Sequence, residues 1–229
     1  MNNFDTVIQT FLTQITFPPL VDHAIRVIAG LYTFKGFLLV PMLWWFWFQP
    51  NERSEWQREM VIATVASGLL ALALGRGLAM SLPFRVRPIY NPALHLHFPA
   101  SLRAATLQAW SSFPSDHAML WSAVATGIFL ISRRVGVVAL LYVFVFICLP
   151  RAYLGYHYPT DLLAGAAIGI AITWLMTRDA IRTRYAVPIM RGVQRFPGAA
   201  YTFAFLLCFE LITQFDELLL LAHSARHTL

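Results

Sequence analysis

Charged residues are scarce in this sequence of 229 residues: Asp, Glu, Lys and Arg together make up 12%, whereas hydrophobic residues make up 58%. Lysine is almost absent, because Lys35 is the only one and the other basic residues are arginines. Soluble domains carry roughly 25% charged residues and lack the interior to bury so apolar a chain. The composition therefore excludes an ordinary soluble domain and predicts a protein embedded in lipid.

Cysteine is also scarce, and its placement does not indicate a metal site. Cys148 and Cys208 lie inside apolar runs without the spacing of metal ligands, so both are predicted to be buried thiols. His95 and His97 are predicted to decorate a surface loop, and no metal or other cofactor is expected. The net charge of +6 does not predict nucleic-acid binding, because the arginines are dispersed among short loops.

Long apolar runs define the predicted fold. They lie at about 24–48, 60–82, 117–131, 135–149, 159–176 and 199–222. Helices of about 20 apolar residues cross a bilayer, and flanking residues are expected to extend the shorter runs. Residues 3–17 carry apolar side chains at helical spacing, which favours an amphipathic helix on the membrane surface or, equally, one packed on the bundle. We predict an all-α, polytopic membrane helical bundle with about six transmembrane helices and this N-terminal amphipathic helix.

The whole chain, 1–229, is predicted to form a single integral-membrane domain, with a core at about 76–175 and an extra C-terminal span. Nine arginines lie in the loops after the first, third and fifth spans: Arg53, Arg58, Arg133, Arg134, Arg178, Arg182, Arg184, Arg191 and Arg195. Because basic loops stay in the cytoplasm, the other loops and both termini are predicted to face outward. If the membrane is a bacterial inner (plasma) membrane, that outward side is the periplasm or exterior.

Polar groups suited to phosphate chemistry cluster at the edges of these apolar runs. Arg151, His157 and Asp161 follow the fourth span, and each is unfavourable near a bilayer unless it is paired or functional. The loop after the second span, on the same side, carries Arg85, Arg87, Ser115, Asp116 and His117. Arginines that grip an anion, two imidazoles and a carboxylate are the groups that phosphoryl transfer without a metal requires.

These segments resemble the signature of the type-2 phosphatidic acid phosphatase superfamily, which comprises integral-membrane lipid phosphatases. Its pattern is Lys-x6-Arg-Pro, then Pro-Ser-Gly-His, then Ser-Arg-x5-His-x3-Asp, and the match covers roughly residues 76–175. Three positions depart from it: Met80 replaces the lysine, Asp116 the glycine and Pro150 the serine. The sequence Phe-Pro-Ser-Asp-His at 113–117 is similar to the subgroup that includes bacterial undecaprenyl-diphosphate phosphatases.

The resemblance implies a division of roles. His157 is expected to attack phosphorus and form a phosphohistidine, while Asp161, four residues on, bonds one nitrogen of its ring. His117 is expected to protonate the leaving group and then to activate water. The expected phosphate ligands are Arg87, Arg151, Ser115, Asp116 and Arg85.

Two details of this assignment depend on local geometry. Asp116 is expected to offer its main-chain amide at a helix start, with its side chain pointing away from His117. Arg85 is slightly favoured over Arg76 as the cation that replaces the lysine missing at Met80.

Charges outside the motifs are interpreted as structural pairs. Lys35 and Glu210 fall within the first and sixth spans and are expected to pair with each other. Arg76 is expected to pair with Asp216 or Glu217. A proton pathway through such groups is the weaker alternative.

We expect a metal-independent lipid phosphatase whose substrate, a lipid phosphate, enters from the membrane. Undecaprenyl diphosphate is the first choice; phosphatidylglycerophosphate, phosphatidic acid and lipid A phosphate are alternatives. A phosphotransferase would use the same phosphohistidine, and a non-catalytic transporter is a distant alternative, because no paired, interrupted helices are evident. Arg103 and Trp110 lie in the loop after the second span, and the sequence favours contact with the substrate and no contact equally. The sequence leaves the oligomeric state open.

Overall fold

The computed structural model describes residues 3–99 and 108–216, and every regular element in those ranges is helical, as predicted. The helices are α1 (Asn3–Gln14), α2 (Pro19–Gly30), α3 (Tyr32–Gly36), α4 (Leu39–Phe48), α5 (Ser54–Ser81), α6 (Asp116–Ile131), α7 (Arg133–Tyr153), α8 (Pro159–Met176), α9 (Asp179–Arg195) and α10 (Pro197–Thr213). Short 3₁₀ turns at Pro88–Tyr90 and Pro92–Leu94 shape the loop after α5.

Helix α6 is the centre of the bundle. Every residue from Ala118 to Ile128 is buried, so this helix is covered on all sides by α5, α7 and α8. The outer faces of those three neighbours expose large apolar side chains, including Leu70, Leu141 and Leu163. Large apolar side chains on the outside of the bundle, around a buried central helix segment, are the arrangement expected for a bundle surrounded by lipid.

The predicted spans correspond to helices, with one correction. α5, α7 and α8 are long and apolar enough to cross a membrane, whereas α6 and α10 are apolar but shorter, at 16 and 17 residues. The prediction of one continuous helix over 24–48 is wrong, because α2 and the run Tyr32–Phe48 meet at 80°. Gly30 weakens the helix there, and Leu31 adopts an extended conformation with φ −80° and ψ 115°. The end of the last predicted span lies outside the described residues.

Helix α1 has features of both predicted arrangements, a helix on the membrane surface and a helix packed on the bundle. Val7 and Phe11 are exposed, as in a helix that faces lipid. Asp5 and Gln9, one turn apart on the other face, are fully buried where α1 contacts the end of α7 and the start of α8. The helix is therefore anchored to the bundle by its polar face.

The motif-bearing segments gather at one end of the bundle, where α5 and α7 end and α6 and α8 begin. α6 and α8 approach closely there, because a Cβ atom on Gly169 would lie 2.2 Å from the carbonyl oxygen of Met119. Such a distance is far below van der Waals contact, so only glycine permits this separation of the helices. The close packing places the first turns of α6 and α8 side by side.

Replacing Gly169 with alanine should therefore lower the melting temperature of the detergent-solubilised protein, because overpacking a tight contact costs about 1–3 kcal/mol. Gly77→Ala is the matched control, since a Cβ atom at Gly77 meets nothing within 4 Å. Differential scanning fluorimetry of the two variants checks this expectation. Equal melting temperatures would contradict the close approach of α6 and α8.

Candidate active site

His157 lies in the loop between α7 and α8, with 3% of its surface exposed. Its Nδ1 is 2.8 Å from the carbonyl oxygen of Ser112, which can only accept, so Nδ1 carries the proton. Its Nε2 is 3.1 Å from Nη1 of Arg87, which can only donate, so Nε2 presents a lone pair. Burial, aided by the charge of Arg87, lowers the pKa of His157 well below its usual value. The imidazole is therefore neutral at pH 7.

Arg87 is fixed by main-chain carbonyls. Its Nη1 also donates to Tyr156 at 2.8 Å, its Nη2 to Ser111 at 3.2 Å and its Nε to Trp110 at 3.2 Å. Burial lowers the pKa of Arg87 from its ordinary value, but a guanidinium remains charged in proteins. Of the two loop residues of uncertain role, Trp110 thus contributes its carbonyl to holding this arginine, and Arg103 lies outside the described residues.

Arg151 enters the site from the end of α7. It is 4% exposed, donates to a main-chain carbonyl of α7 at 3.3 Å, and acts electrostatically on both His117 and His157. It follows Pro150 and the π-helical segment Val143–Cys148. Proline has no N–H to donate and its ring crowds the preceding turn, which accounts for the widened turn before Arg151.

Asp161 does not bond the ring of His157 directly, which corrects the expected contact. Its Oδ2 is 3.9 Å from Nδ1 of His157. The same oxygen accepts from Oγ of Ser112 at 2.5 Å and from the N–H of Tyr158 at 2.9 Å. Because α8 begins at Pro159, Asp161 lies in its first turn and folds back to cap it. Asp161 thus acts on His157 through Ser112, whose carbonyl holds the ring.

Arg85 has different partners from those expected of a phosphate ligand. Its Nη2 is 2.7 Å from the carboxylate of Asp5, and its Nη1 donates to Asp161 and, at 3.0 Å, to Oγ1 of Thr160. Its guanidinium lies 4.2 Å from the ring centre of Tyr158. These contacts hold the start of α8, so the geometry does not support Arg85 as the replacement for the missing lysine.

His117 has a carboxylate partner that the spacing did not predict. Oδ1 of Asp116 lies 2.8 Å from Nδ1 of His117 and also accepts its main-chain N–H at 2.8 Å. The expectation that the Asp116 side chain points away is therefore wrong, because a side chain at the first helical position can fold back onto the next residue. Nε2 of His117 lies 3.3 Å from Nζ of Lys35, a group that can only donate.

Ser115 connects two motifs as the N-cap of α6. It is fully buried, and its hydroxyl accepts from the N–H of Ala118 at 3.4 Å. Its own N–H donates to the carbonyl of Asp161 at 3.2 Å. The starts of α6 and α8 are thus joined, and within residues 3–99 and 108–216 the hydroxyl proton of Ser115 has no acceptor.

Two residues of the site, Lys35 and Asp5, were not predicted from the sequence. The expected Lys35–Glu210 pair is wrong: Lys35 contacts His117, and Oε2 of Glu210 is buried without a hydrogen-bond partner in the described part of the chain. The Arg76–Asp216 pair is confirmed at 2.7 Å. The signal that could have identified Lys35 is that it is the only lysine of the sequence and lies within an apolar run. The signal for Asp5 was that it is the one charged residue of α1 and lies one turn from Gln9.

The bundle and its end define a membrane protein with a candidate site, in which the buried imidazole of His157 and the partly buried imidazole of His117 each have a cation beside Nε2. The sequence model of the PAP2 superfamily matches residues 58–184, more than half of the chain. The chain therefore belongs to the PAP2 superfamily.

Two relatives can be compared with it. The bacitracin transport permease protein BcrC of Bacillus licheniformis is 30% identical over 110 residues, which span 48% of this chain and 48% of that protein, about half its length. A crystal structure of a transmembrane PAP2-type phosphatidylglycerolphosphate phosphatase from Bacillus subtilis aligns with a TM-score of 0.47 and 22% identity. That alignment covers 75% of this chain and 82% of the other.

Removing the charge of Asp5 should lower turnover, because Arg85 would lose a buried partner and hold Asp161 less firmly. We expect Asp5→Asn to reduce kcat roughly 10-fold with little change in KM, and Asp5→Glu to retain more activity. Asp179→Asn is the control, since 86% of the Asp179 side chain is exposed. Steady-state phosphate release checks this expectation. If Asp5→Asn behaved like Asp179→Asn, α1 would have no part in positioning the site.

Proposed function

We propose that this protein is a metal-independent lipid phosphatase that hydrolyses a lipid diphosphate through a phosphohistidine at His157. The observation that carries the proposal is the state of that ring: Nδ1 is bound to the Ser112 carbonyl, and Nε2 presents its lone pair beside Arg87. A neutral, oriented imidazole next to a cation is an activated nucleophile for phosphorus. Undecaprenyl diphosphate is the proposed substrate.

The first half of the reaction forms the phosphoenzyme. Nε2 of His157 attacks the terminal phosphorus, a P–N bond forms, and the P–O bond to the leaving group breaks. Arg87 and Arg151 neutralise the charge that accumulates on the phosphoryl oxygens, with the hydroxyl of Ser115 as a further donor. In the substrate complex Nζ of Lys35 must turn away from Nε2 of His117, so that the ring can hold a proton there. The imidazolium then gives that proton to the leaving oxygen, while Asp116 stabilises the ring through Nδ1.

The second half releases phosphate. His117 accepts a proton from water, whose oxygen attacks phosphorus as the P–N bond breaks. His157 leaves as a neutral ring and is returned to its resting tautomer by the Ser112 carbonyl, which Asp161 holds in place. Two residues expected to bind phosphate have other roles in this mechanism. The side chain of Asp116 acts on His117, and Arg85 positions α8 without contacting phosphate.

The choice of a lipid diphosphate is supported by the sequence Phe-Pro-Ser-Asp-His at 113–117, whose aspartate contacts His117 in this structure. Phosphatidylglycerophosphate, phosphatidic acid and lipid A phosphate remain alternatives that share the same phosphate chemistry. Transfer of the phosphate to an acceptor other than water would use the same intermediate. Assaying purified lipids with and without candidate acceptors separates these possibilities, because a hydrolase releases free phosphate without one.

A non-catalytic transporter is the alternative from another class, and the name of the BcrC relative, a transport permease, belongs with it. The geometry of His157, a neutral ring oriented beside Arg87, favours catalysis over transport. A transport pathway needs charged residues along its length. The two motif histidines and the motif arginines Arg87 and Arg151 instead lie together at one end of the bundle.

The proposed location is the inner membrane of a bacterium with the site facing the periplasm or exterior. The basic loops after the first, third and fifth predicted spans support it. The apolar tail of the substrate would then stay in the outer leaflet while its headgroup enters the site.

His157→Ala should abolish turnover with every substrate, because no phosphohistidine can form. Wild-type enzyme quenched in alkali after mixing with a ³²P-labelled substrate should carry label on His157, detected by mass spectrometry. His95→Ala, at an exposed loop histidine, is the control and should remain labelled and active. Full activity of His157→Ala, or label on His117, would reject the proposed mechanism.

Chelators should leave the wild-type rate unchanged, because the proposed mechanism uses only side chains. The rate of phosphate release before and after prolonged dialysis against EDTA measures this. A loss that zinc or magnesium restored would reject metal independence.

Cysteine labelling tests the proposed orientation. In a variant with Cys148 and Cys208 replaced, a cysteine at Ala93 should react with an impermeant maleimide added to intact cells, because Ala93 lies in the motif-bearing loop. A cysteine at Glu55, equally exposed but at the opposite end of α5, should react only after lysis. The reverse pattern would place the site in the cytoplasm.

A further inference from the structure

Lys35 is the one lysine of the chain, and it lies beside a motif histidine although it belongs to no motif. Its Nζ is 3.3 Å from Nε2 of His117, and the residue is 1% exposed. Lys35 is in α3, outside the residues 58–184 that match the family. The ammonium group of Lys35 is therefore held at the ring that, in the proposed function, faces the leaving group.

Helix α3 presents Lys35 together with an aromatic side chain. Tyr32, three residues earlier and therefore on the same face, has its ring centre 4.1 Å from Nζ of Lys35. The same ring stacks on His117, with centres 6.4 Å apart and planes at 20°. The hydroxyl of Tyr32 donates to the carboxylate of Asp216. The break at Leu31 turns α3 so that this pair reaches the site.

The family lysine position does not supply a cation here. Met80 occupies it and is 72% exposed, and Arg85, the nearest candidate in the loop, is bound to Asp5 and Asp161. Arg151 acts on both rings, whereas Arg87 lies beside Nε2 of His157 and Lys35 beside Nε2 of His117. In the proposed function, Arg87 therefore lies on the side of the attacking His157, and Lys35 lies on the side of the leaving group.

We infer that Lys35 is a specificity-determining residue that binds the leaving phosphate of a diphosphate substrate. The inference rests on the proposed function, in which His117 protonates the leaving group. The leaving group of a lipid diphosphate is a lipid phosphate, which carries charge on that side; the leaving group of a lipid monophosphate is an alkoxide without phosphoryl oxygens. Lys35 thus favours diphosphates, because only they place an anion within its reach.

Kinetics with paired substrates test this inference. Farnesyl diphosphate and farnesyl monophosphate share one tail and differ only in the second phosphate. We expect Lys35→Met to lower kcat/KM for the diphosphate about 10- to 100-fold and that for the monophosphate less than about threefold. Lys35→Arg, which keeps the charge, should retain the preference for the diphosphate. Equal losses, no loss, or a larger loss with the monophosphate would overturn the inference.

His117→Ala provides the opposite signature. An alkoxide needs a proton more than a phosphate does, so this variant should lose more activity with the monophosphate. His157→Ala should lose activity with both substrates. If His157→Ala stayed active, the proposed function would fail; if it were inactive while Lys35→Met lost equally with both substrates, the inference about Lys35 alone would fail.

A measurement on the unmodified protein avoids the problem of a variant that does not fold. With [ε-¹³C]lysine the chain has one labelled side chain, because Lys35 is its only lysine. Methylenediphosphonate should shift that NMR resonance, and methylphosphonate at equal saturation should shift it much less. Lys35→Arg, which lacks the resonance, confirms the assignment. No shift with the diphosphonate, or equal shifts with both, would overturn the inference.

Discussion

Charge compensation in a largely buried site is the constraint on which the structure depends. A buried ion costs several kcal/mol unless partners surround it, and this site holds several ions near two histidines. Two series of side chains with alternating charge offset this cost. They are Asp161–Arg85–Asp5 beside His157 and Asp116–Arg76–Asp216 beside His117. The outer pairs are each 2.7 Å long, whereas Arg76 reaches Asp116 at 4.0 Å.

The outer carboxylates come from the two flanks of the chain. Asp5 is in α1 and Asp216 follows α10, and both lie outside the residues 58–184 that define the family. The family core thus carries the two histidines and the arginines beside them, while the flanking helices complete the charge balance. α1 adds a further restraint, because the side-chain amide of Gln9 donates to the main-chain carbonyl of His157 at 3.0 Å.

Sequence reasoning located the groups to which the proposed chemistry is assigned, but not their partners. His117, Arg151 and His157 could be identified because their spacing and their position beside apolar runs reveal them. The pairing of carboxylates with imidazoles was misassigned, because a separation of four residues suggests a contact only if both residues lie on one helix. His157 precedes α8, so Asp161 faces Ser112, while adjacent Asp116 reaches the other ring.

Apart from the Arg76–Asp216 pair, contacts between distant segments could not be predicted. Lys35 and His117 are 82 residues apart, and the bend after Gly30 that brings Lys35 to the site depends on tertiary packing. Composition and apolar run length predicted the all-α bundle and most helix positions, because each span is recognisable by itself. Which polar side chains meet at its end depends on how the helices pack.

The central claim is that phosphorus bonds to Nε2 of His157 while His117 faces the departing oxygen. An experimental structure with vanadate, which adopts the trigonal bipyramidal geometry of the transferred phosphoryl group, tests it most directly. The account predicts vanadium bonded to Nε2 of His157, equatorial oxygens on Arg87 and Arg151, and the opposite apical oxygen on Nε2 of His117. Vanadium bonded to His117, or held away from both rings, would contradict it.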